Sequence, residues 1–450
     1  MPEQIAMKNV ALVSLGCAKN LVDSEVMLGA LRQAGYGLLA DPKAADVVIV
    51  NTCGFIQPAR AEAEAELRAA VEVKRKRPET TVVAAGCYVE RDRARLQVLF
   101  PEVDIWTGVR EFDRIAALVA GRRRPERERT FLYGDLTPRV VSTPPGWAYV
   151  KISEGCSHRC AFCAIPSIKG RYRSRSVASI VREVEGLVAR GVKEVNLISQ
   201  DSTFFGRDAG RRDGLASLLE RLLEVRGLAW IRVLYGYPEE VTDRLLELLQ
   251  EPRVCPYLDI PFQHADPGVI KTMRRGLDGA RALRLLERIR RRVPDVAVRT
   301  ALIVGFPGEG RPEFARLKRF VAEAHFDHLG VFPYSLEPGT PAFGLGDPVP
   351  EEEKQRRRNE IMEMQVAISL ARNKARVGRT LDVLFECDLG GRPRTLAGRT
   401  RYQAPEVDGV VLVKVKGAGP GALHSIREVT ITSANVYDLH GKLAPSLPRA

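Results

Sequence analysis

The sequence predicts a multidomain α/β protein that ends in a small antiparallel β-barrel. Strand-like and helix-like segments alternate through the first third of the chain and again through the middle, which is typical of parallel sheets covered by helices. After Arg376 the pattern changes to short strands between Gly and Pro turns. We therefore expect a doubly wound domain, a partial TIM-like (βα)6 barrel and a terminal β-barrel, in that order.

The doubly wound domain is expected over residues 1–121. Its predicted strands are 10–15, 46–51 and 81–85, and its predicted helices are 22–34, 58–77 and 90–100. Residues 122–146 are charged, contain prolines and end in Thr143-Pro-Pro-Gly146. Such a composition is typical of a linker, so we place a domain boundary there.

The middle domain, expected over residues 147–375, repeats the alternation six times. Its predicted strands are 148–153, 194–199, 230–234, 257–260, 296–303 and 328–332, and its predicted helices are 176–190, 214–225, 239–250, 278–292 and 311–324. Six βα units are fewer than the eight of a closed TIM barrel, so an open, partial barrel is predicted. A long polar helix over 348–374 leads out of it.

The terminal barrel is expected over residues 376–440, followed by a tail over 441–450. Its predicted strands are 380–386, 410–415 and 428–434.

The net charge of +13 is spread over the whole chain. Residues 1–145 carry 21 basic and 19 acidic side chains, residues 146–375 carry 37 and 30, and residues 376–450 carry 11 and 7. Charge alone therefore does not indicate nucleic-acid binding.

No apolar run approaches the length of a membrane span, and residues 1–6 lack the features of a secretory leader, so we expect a soluble, cytoplasmic protein without a membrane partner.

Eight cysteines are too few for a disulfide scaffold and favour metal or redox chemistry. Cys156, Cys160 and Cys163 follow the first barrel strand with the spacing C-x3-C-x2-C, where barrel enzymes place their active sites. Three thiolates on one short loop can bind three corners of a cubane iron–sulfur cluster and leave the fourth iron open. A structural zinc ion would need a fourth ligand, and His158, between two of the cysteines, would strain the loop.

Three further cysteines share a position in the predicted fold. Cys17, Cys53 and Cys87 each closely follow a predicted strand. Because the carboxyl ends of parallel strands lie at one edge of a sheet, we expect the three thiols to converge. By contrast, Cys255 and Cys387 have no such context and are expected to be packing residues.

The motif C-x3-C-x-Φ-C, with Phe162 as the aromatic residue Φ, resembles the signature of radical S-adenosylmethionine (SAM) enzymes. The resemblance implies that SAM chelates the open iron and is cleaved to a 5′-deoxyadenosyl radical. The stretch IVGFPGE at 303–309 is similar to the family's adenine-contacting motif G-x-I-x-G-x-x-E, with Ala301 in place of the first glycine. Phe162, Gly305 and Glu309 are therefore expected to contact the cofactor, although a strand-to-helix turn would also need the glycine.

Over residues 8–440 the domain arrangement resembles the methylthiotransferases, whose terminal barrel is a TRAM domain. One branch of that family modifies an adenosine beside the tRNA anticodon, and another modifies the β-carbon of an aspartate in protein twelve of the small ribosomal subunit. The stretches SLGCAKNLVDSE (14–25), NTCGFI (51–56), YLDIPFQH (257–264) and APEVDG (404–409) resemble the ribosomal-protein branch. Ala18, in place of the usual proline, departs from it.

The resemblance implies two 4Fe–4S clusters, the second on Cys17, Cys53 and Cys87 with sulfide or polysulfide bound. It also implies SAM as methyl donor and radical source, and an electron donor such as flavodoxin or ferredoxin. No catalytic acid or base is assigned, and Gln263 and His264 either line the substrate pocket or cap a turn.

Two other functions remain open: a tRNA adenosine methylthiotransferase and a non-catalytic iron–sulfur carrier. Residues 376–440 hold 9 basic and 7 acidic side chains, a balance that favours a protein substrate over tRNA. A carrier would need neither an open-iron SAM loop nor a barrel of this length.

Overall fold

The computed structural model describes residues 8–122, 127–415 and 422–444. The chain forms two compact units that do not follow its linear order. The first contains the residues up to Ser142 together with Lys151–Ile180 and Ser335–Gly344. The second contains Thr143–Val150, Val181–Tyr334 and the residues from Leu345 onward. The loop from Cys156 to Cys163 therefore belongs to the same compact unit as the N-terminal cysteines.

The N-terminal region is a five-stranded parallel sheet with the strand order β2-β1-β3-β4-β5. Its strands are β1 (Asn9–Ser14), β2 (Gly37–Leu39), β3 (Val47–Thr52), β4 (Thr81–Gly86) and β5 (Ile105–Thr107). Its helices are α1 (Ala18–Gln33), α2 (Gln57–Lys76), α3 (Cys87–Leu99) and α4 (Ile115–Val119). This order is that of a doubly wound fold, as predicted. The strands β2 and β5 were not predicted, because three residues are too few to show an alternating pattern.

The middle region contains six barrel strands in two three-stranded sheets, ordered β10-β9-β6 and β11-β12-β13. Its strands are β6 (Trp147–Lys151), β7 (Ser153–Glu154), β8 (Arg173–Ser174), β9 (Glu194–Ile198), β10 (Trp230–Val233), β11 (Tyr257–Asp259), β12 (Ala297–Val304) and β13 (His328–Pro333). Its helices are α5 (Ile165–Lys169), α6 (Val177–Ala189), α7 (Gly214–Leu223), α8 (Asp243–Leu248), α9 (Pro267–Thr272), α10 (Gly279–Arg292) and α11 (Arg311–Ala324). All six predicted barrel strands are present.

The barrel helices pack one apolar face on these strands. In α10, Ala282, Leu285, Leu286 and Ile289 are buried in the barrel core at the spacing of one helix face. Three arginines end this helix, where positive charge is favourable near the helix C-terminus. Helix α8 is shorter than predicted, because the side chain of Thr242 caps it and the residues before it form a separate 3-10 turn.

The long polar helix α12 (Glu351–Lys374) leads into a closed five-stranded barrel with the order β14-β15-β16-β18-β17. Its strands are β14 (Thr380–Gly390), β15 (Arg394–Arg399), β16 (Val411–Val415), β17 (Ile426–Ala434) and β18 (Leu439–Leu443). The sequence pattern missed β15 and β18. Because β18 pairs with both β16 and β17, the barrel continues into the segment expected to be a tail. Within the ranges described, no helix is long and apolar enough to cross a membrane.

Candidate functional site

The three N-terminal cysteines lie where neighbouring strands end. The last residue of β1 pairs with the next-to-last residue of β3, and the last residues of β3 and β4 pair with each other. Cys53 and Cys87 directly follow β3 and β4, and Cys17 is the N-cap of α1. The parallel register therefore delivers all three residues to one edge of the sheet.

Two glycines let these cysteine-bearing loops touch. A Cβ atom on Gly16 would lie 2.7 Å from Cβ and 2.9 Å from Sγ of Cys53. A Cβ atom on Gly54 would lie 2.6 Å from Cα of Tyr88 and 3.0 Å from the carbonyl carbon of Cys87. Any larger side chain at either position would push the loops apart. The loop that carries Cys17 thus packs on the loop that carries Cys53, and the latter packs on the start of α3 at Cys87.

Burial raises the pKa of two of these thiols, Cys53 and Cys87. Burial raises the pKa of Cys53, and the neighbouring Cys17 raises it further. Burial also raises the pKa of Cys87 to about 12, against the opposing charge of Lys169. The Cys87 thiol donates to Asn20 Oδ1 at 3.6 Å. Iron, which binds thiolates, would have to displace these protons.

The spacing of the side chains bears on which metal group fits here. Among the described residues, no three His, Cys, Asp or Glu side chains lie close enough together to hold a single metal ion. A cubane cluster binds its thiolates at separate iron atoms, whereas a zinc ion binds all of its ligands at one atom. Three cysteines are the donor set for three corners of a cubane cluster, whereas structural zinc would need a fourth ligand.

The second cysteine set lies on a loop that main-chain contacts close at its base. The two-residue strands β7 and β8 pair across the base of the loop, and the Cys156 N–H donates to Gly170 O at 3.0 Å. Within the loop, the Cys163 N–H donates to Cys160 O at 3.2 Å. Cys156 is buried, while Cys160, Phe162 and Cys163 are half-buried. The structure thus holds three thiols on one ordered loop with the aromatic residue among them.

Four buried charges connect α1 to the flanks of this loop. Lys151 Nζ donates to Asp23 and, at 2.6 Å, to Glu154 Oε2, and Lys169 Nζ donates to Asp23 Oδ2 at 2.9 Å. Burial alone would raise the pKa of Glu154, but the two ammonium groups outweigh it and lower that pKa to about 2. No sequence pattern predicted this network, although a lysine at the end of the otherwise apolar strand β6 is a signal for it.

The predicted adenine motif lies at the end of β12. Gly305 has a φ of +74°, and a Cβ atom there would lie 2.4 Å from Lys354 Cγ, so the turn itself requires glycine. Glu309 is buried and accepts from the Gly305 N–H at 3.0 Å and from Arg357 Nη1 at 2.7 Å. It also lies 3.0 Å from His264 Nε2. The carboxylate is therefore satisfied by the protein itself, and direct contact of Gly305 or Glu309 with SAM stays a prediction.

His264 has internal partners for both ring nitrogens. Its Nδ1 accepts from the Asp266 N–H at 3.0 Å, so Nε2 carries the proton and donates to Glu309. Its side chain is fully buried. These contacts favour the capped-turn interpretation of His264 over a place in the substrate pocket. The neighbouring Gln263 adopts a left-handed φ of +72° in the same turn.

The two remaining cysteines differ in exposure. Cys255 is buried, and burial raises its pKa to about 11, as expected for a packing residue. The expectation that Cys387 also packs is wrong, because its side chain is exposed. The pairing of β14 with β15 shifts register between Phe385 and Cys387, which breaks the inward alternation of the strand.

Three family descriptions match consecutive parts of the chain. Residues 9–108 match "Uncharacterized protein family UPF0004", residues 150–321 match "Radical SAM superfamily", and residues 377–443 match "TRAM domain". The first match covers the N-terminal sheet with its three cysteines, and the second covers the barrel loop.

Curated relatives align over nearly the whole chain. Proteins named "Ribosomal protein uS12 methylthiotransferase RimO" are 44% identical in Syntrophotalea carbinolica, covering 98% of both chains, and 44% identical in Solibacter usitatus, covering 98% of this chain and 96% of the relative. The RimO protein of Aquifex aeolicus is 43% identical and covers 96% of both chains.

Solved structures share the fold at low identity. The radical SAM methyltransferase TsrM from Kitasatospora setae superimposes with a TM-score of 0.54 at 17% identity, over 74% of this chain and 75% of that one. The cobalamin-dependent SAM radical enzyme OxsB gives 0.51 at 11% identity, over 80% of this chain and 56% of that one. Since the curated relatives are far more similar and match end to end, the chain belongs to the RimO family of radical SAM methylthiotransferases.

Proposed function

We propose that this protein transfers a methylthio group to the β-carbon of an aspartate in ribosomal protein uS12. The observation that carries the proposal is that both cysteine sets lie in one compact unit, where buried ion pairs join α1 to the flanks of the barrel loop. Sulfur insertion needs a radical source and a sulfur source at one substrate. The full-length relatives named RimO support uS12 as that substrate.

Membership in the radical SAM superfamily brings with it a 4Fe–4S cluster and SAM. A second 4Fe–4S cluster on Cys17, Cys53 and Cys87, carrying sulfide or polysulfide, is part of our proposal. When bound, the first cluster with SAM supplies a radical that removes hydrogen from carbon, and the second supplies the sulfur that is methylated and inserted. Each cysteine set would provide three thiolates and so would leave one iron of its cluster without a protein ligand.

The residues of the chain bind, orient and shield these groups. The closed base of the barrel loop orients Cys156, Cys160 and Cys163, and the burial of Cys156 excludes water from one side of the site. The buried ammonium of Lys169 opposes the burial that raises the pKa of Cys87, and so offsets part of the cost of forming the thiolate that iron requires. We assign no protein acid or base to the reaction.

The electron donor is proposed to be a flavodoxin or ferredoxin. Three arginines (Arg127, which pairs with Asp113, Arg129 and Arg173) and one acidic residue, Glu128, line a cleft beside β8 in the unit that holds both cysteine sets. Such a basic surface suits a small acidic electron carrier, whose docking would then weaken as salt is added.

The function is tested by mass spectrometry of the product. The anaerobically reconstituted enzyme would receive SAM, a reductant, and either a peptide with the uS12 aspartate loop or a tRNA anticodon stem-loop. We expect methylthiolation of the peptide aspartate and none of the RNA. Modification of the RNA alone would show instead that the protein acts on tRNA, and absence of 5′-deoxyadenosine would point to a non-catalytic carrier.

The metal content tests the two-cluster part of the proposal. We expect about eight irons per chain, falling to about four when Cys17, Cys53 and Cys87 are replaced by alanine. Cys387→Ala is the matched control, because this exposed cysteine belongs to neither set, and its iron content should equal that of the wild type. About four irons in the wild type would contradict the second cluster.

A further inference from the structure

The segment Ser335–Gly344, which follows β13, belongs to the first compact unit and contains a turn that its own hydrogen bonds close. The N–H and Oγ1 of Thr340 both donate to Glu337 O, at 3.3 and 2.8 Å. Pro338 and Gly339 occupy the centre of this turn, and Gly339 has a φ of +80°. A proline followed by a residue of positive φ is the arrangement of a type II turn. The segment therefore has a fixed shape of its own.

One end of the segment is bound to the N-terminal region through a buried carboxylate. The Glu337 side chain is 1% exposed. It accepts from the Gln57 N–H at 2.9 Å, from Arg91 Nη1 at 2.8 Å and from Arg60. Two guanidinium groups thus neutralise one buried carboxylate, which is the condition under which a charge can be buried in a protein.

Arg91 extends this anchor to the second N-terminal cysteine. Its Nη1 also donates to Gly54 O at 2.7 Å, and its Nη2 donates to Pro338 O at 2.9 Å. Gly54 directly follows Cys53, and Arg91 lies one helical turn after Cys87 at the start of α3. One guanidinium therefore links the edge of the N-terminal cysteine set to the turn.

The other end of the segment is bound to the barrel loop. The Ala342 N–H donates to Ala161 O at 2.8 Å, and Ala342 is fully buried. Ala161 lies between Cys160 and Cys163. A short braced segment thus contacts the loops of both cysteine sets.

We infer that Ser335–Gly344 is a spacer that fixes the separation of the two cysteine sets, with Glu337 and Arg91 as positioning residues. The inference rests on the proposed function, in which one set serves the radical step and the other the sulfur transfer. A displacement of about 1 Å between reacting groups can cost roughly a hundredfold in rate. A loosened spacer should therefore leave each cluster intact but let the substrate radical escape capture by sulfur.

Two variants and a control test the spacer. Glu337→Gln keeps the shape of the side chain but removes the charge that binds two arginines. Arg91→Lys keeps the charge but cannot bridge Gly54 O and Pro338 O with one planar group. Arg95→Lys is the control. Arg95 lies four residues after Arg91, beyond a kink of α3 at Asp92, and its guanidinium donates to Glu64 at 3.0 Å on the surface.

Three quantities would be measured on reconstituted protein: iron per chain, 5′-deoxyadenosine formed per methylthiolated peptide, and magnetic coupling between the two reduced clusters by electron paramagnetic resonance. For Glu337→Gln and Arg91→Lys we expect wild-type iron, a ratio of 5′-deoxyadenosine to product raised by roughly tenfold or more, and weakened coupling. Arg95→Lys should match the wild type in all three.

If the ratio of 5′-deoxyadenosine to product and the cluster coupling are unchanged in both variants, the spacer inference is wrong. Loss of iron from both would also overturn it, because the segment would then support folding alone. If only Glu337→Gln loses iron, the product ratio and the cluster coupling measured on Arg91→Lys decide whether the segment is a spacer. A wild type that shows coupled clusters but modifies no peptide would refute the proposed substrate, and the coupling in the variants would still decide the spacer.

Discussion

Lys151 shows how a single buried residue supports the cysteine loops. Its side chain is 1% exposed, and its ammonium binds Asp23 and Glu154, whose side chains are 4% and 0% exposed. Lys151→Met should leave two carboxylates facing the one remaining ammonium of Lys169. Removing one partner of a buried ion pair costs about 3–5 kcal/mol. We expect a loss of this size in the free energy of unfolding of the iron-free protein, measured by urea titration.

The exposed pair of Lys74 and Asp104 provides the comparison for Lys151. The side chains of this pair are 22% and 37% exposed, and exposed ion pairs contribute about 0–1 kcal/mol. Lys74→Met should therefore barely move the urea midpoint. Equal losses in the two variants would mean that burial does not set the strength of the Lys151 contacts.

At the scale of elements, the junction between β4 and α3 positions Cys87. Gly86 has a φ of +99°, and a Cβ atom there would lie 2.3 Å from Asn51 Oδ1 and 2.6 Å from Thr52 O. Gly86→Ala should therefore both strain the backbone and push the β4 end away from β3, displacing Cys87 from Cys53. We expect lower stability and loss of about four of about eight irons on reconstitution.

Gly35 separates backbone strain from close approach. Its φ is +90°, but a Cβ atom there would meet nothing within 4 Å. Gly35→Ala should cost only the strain of the left-handed conformation, about 1–2 kcal/mol, and should keep all of its iron. If Gly35→Ala and Gly86→Ala lose iron alike, the close approach at Gly86 is not what places Cys87.

The elements also show which features a sequence can reveal. The placement of Cys17, Cys53 and Cys87 at one edge could be predicted from the sequence, because each follows a strand and parallel strands end at one edge of a sheet. The ion pair of Lys151 with Asp23 joins residues 128 positions apart, and no local pattern encodes it. The requirement for glycine at 305 likewise depends on Lys354, which comes from a distant helix. Local periodicity predicts elements, whereas such contacts depend on tertiary packing.

At the scale of the whole molecule, a buried charge network joins the terminal barrel to the partial barrel within the second unit. Glu194 on β9 accepts from Arg232 Nε at 2.8 Å and from Arg399 Nη2 at 2.6 Å. All three side chains are at most 1% exposed. Arg399 on β15 also binds Glu386 on β14 and lies over the ring of Trp147. One carboxylate of the partial barrel thus holds the arginine at the centre of this interface.

The charge of Glu194 makes this interface sensitive to acid. Burial alone would raise its pKa, but Arg399 and Arg232 outweigh burial and hold that pKa below its usual value. A lowered pKa contributes stability that is complete above the ordinary glutamate pKa of about 4.3 and is lost as the pH falls through the pKa of the folded state.

Glu194→Gln should therefore be less stable than the wild type by about 3–5 kcal/mol at pH 7. The difference should narrow as the pH falls below about 4.3. Urea titrations of the iron-free proteins across this range would measure it, and a difference independent of pH would show that Glu194 is not charged in the folded protein.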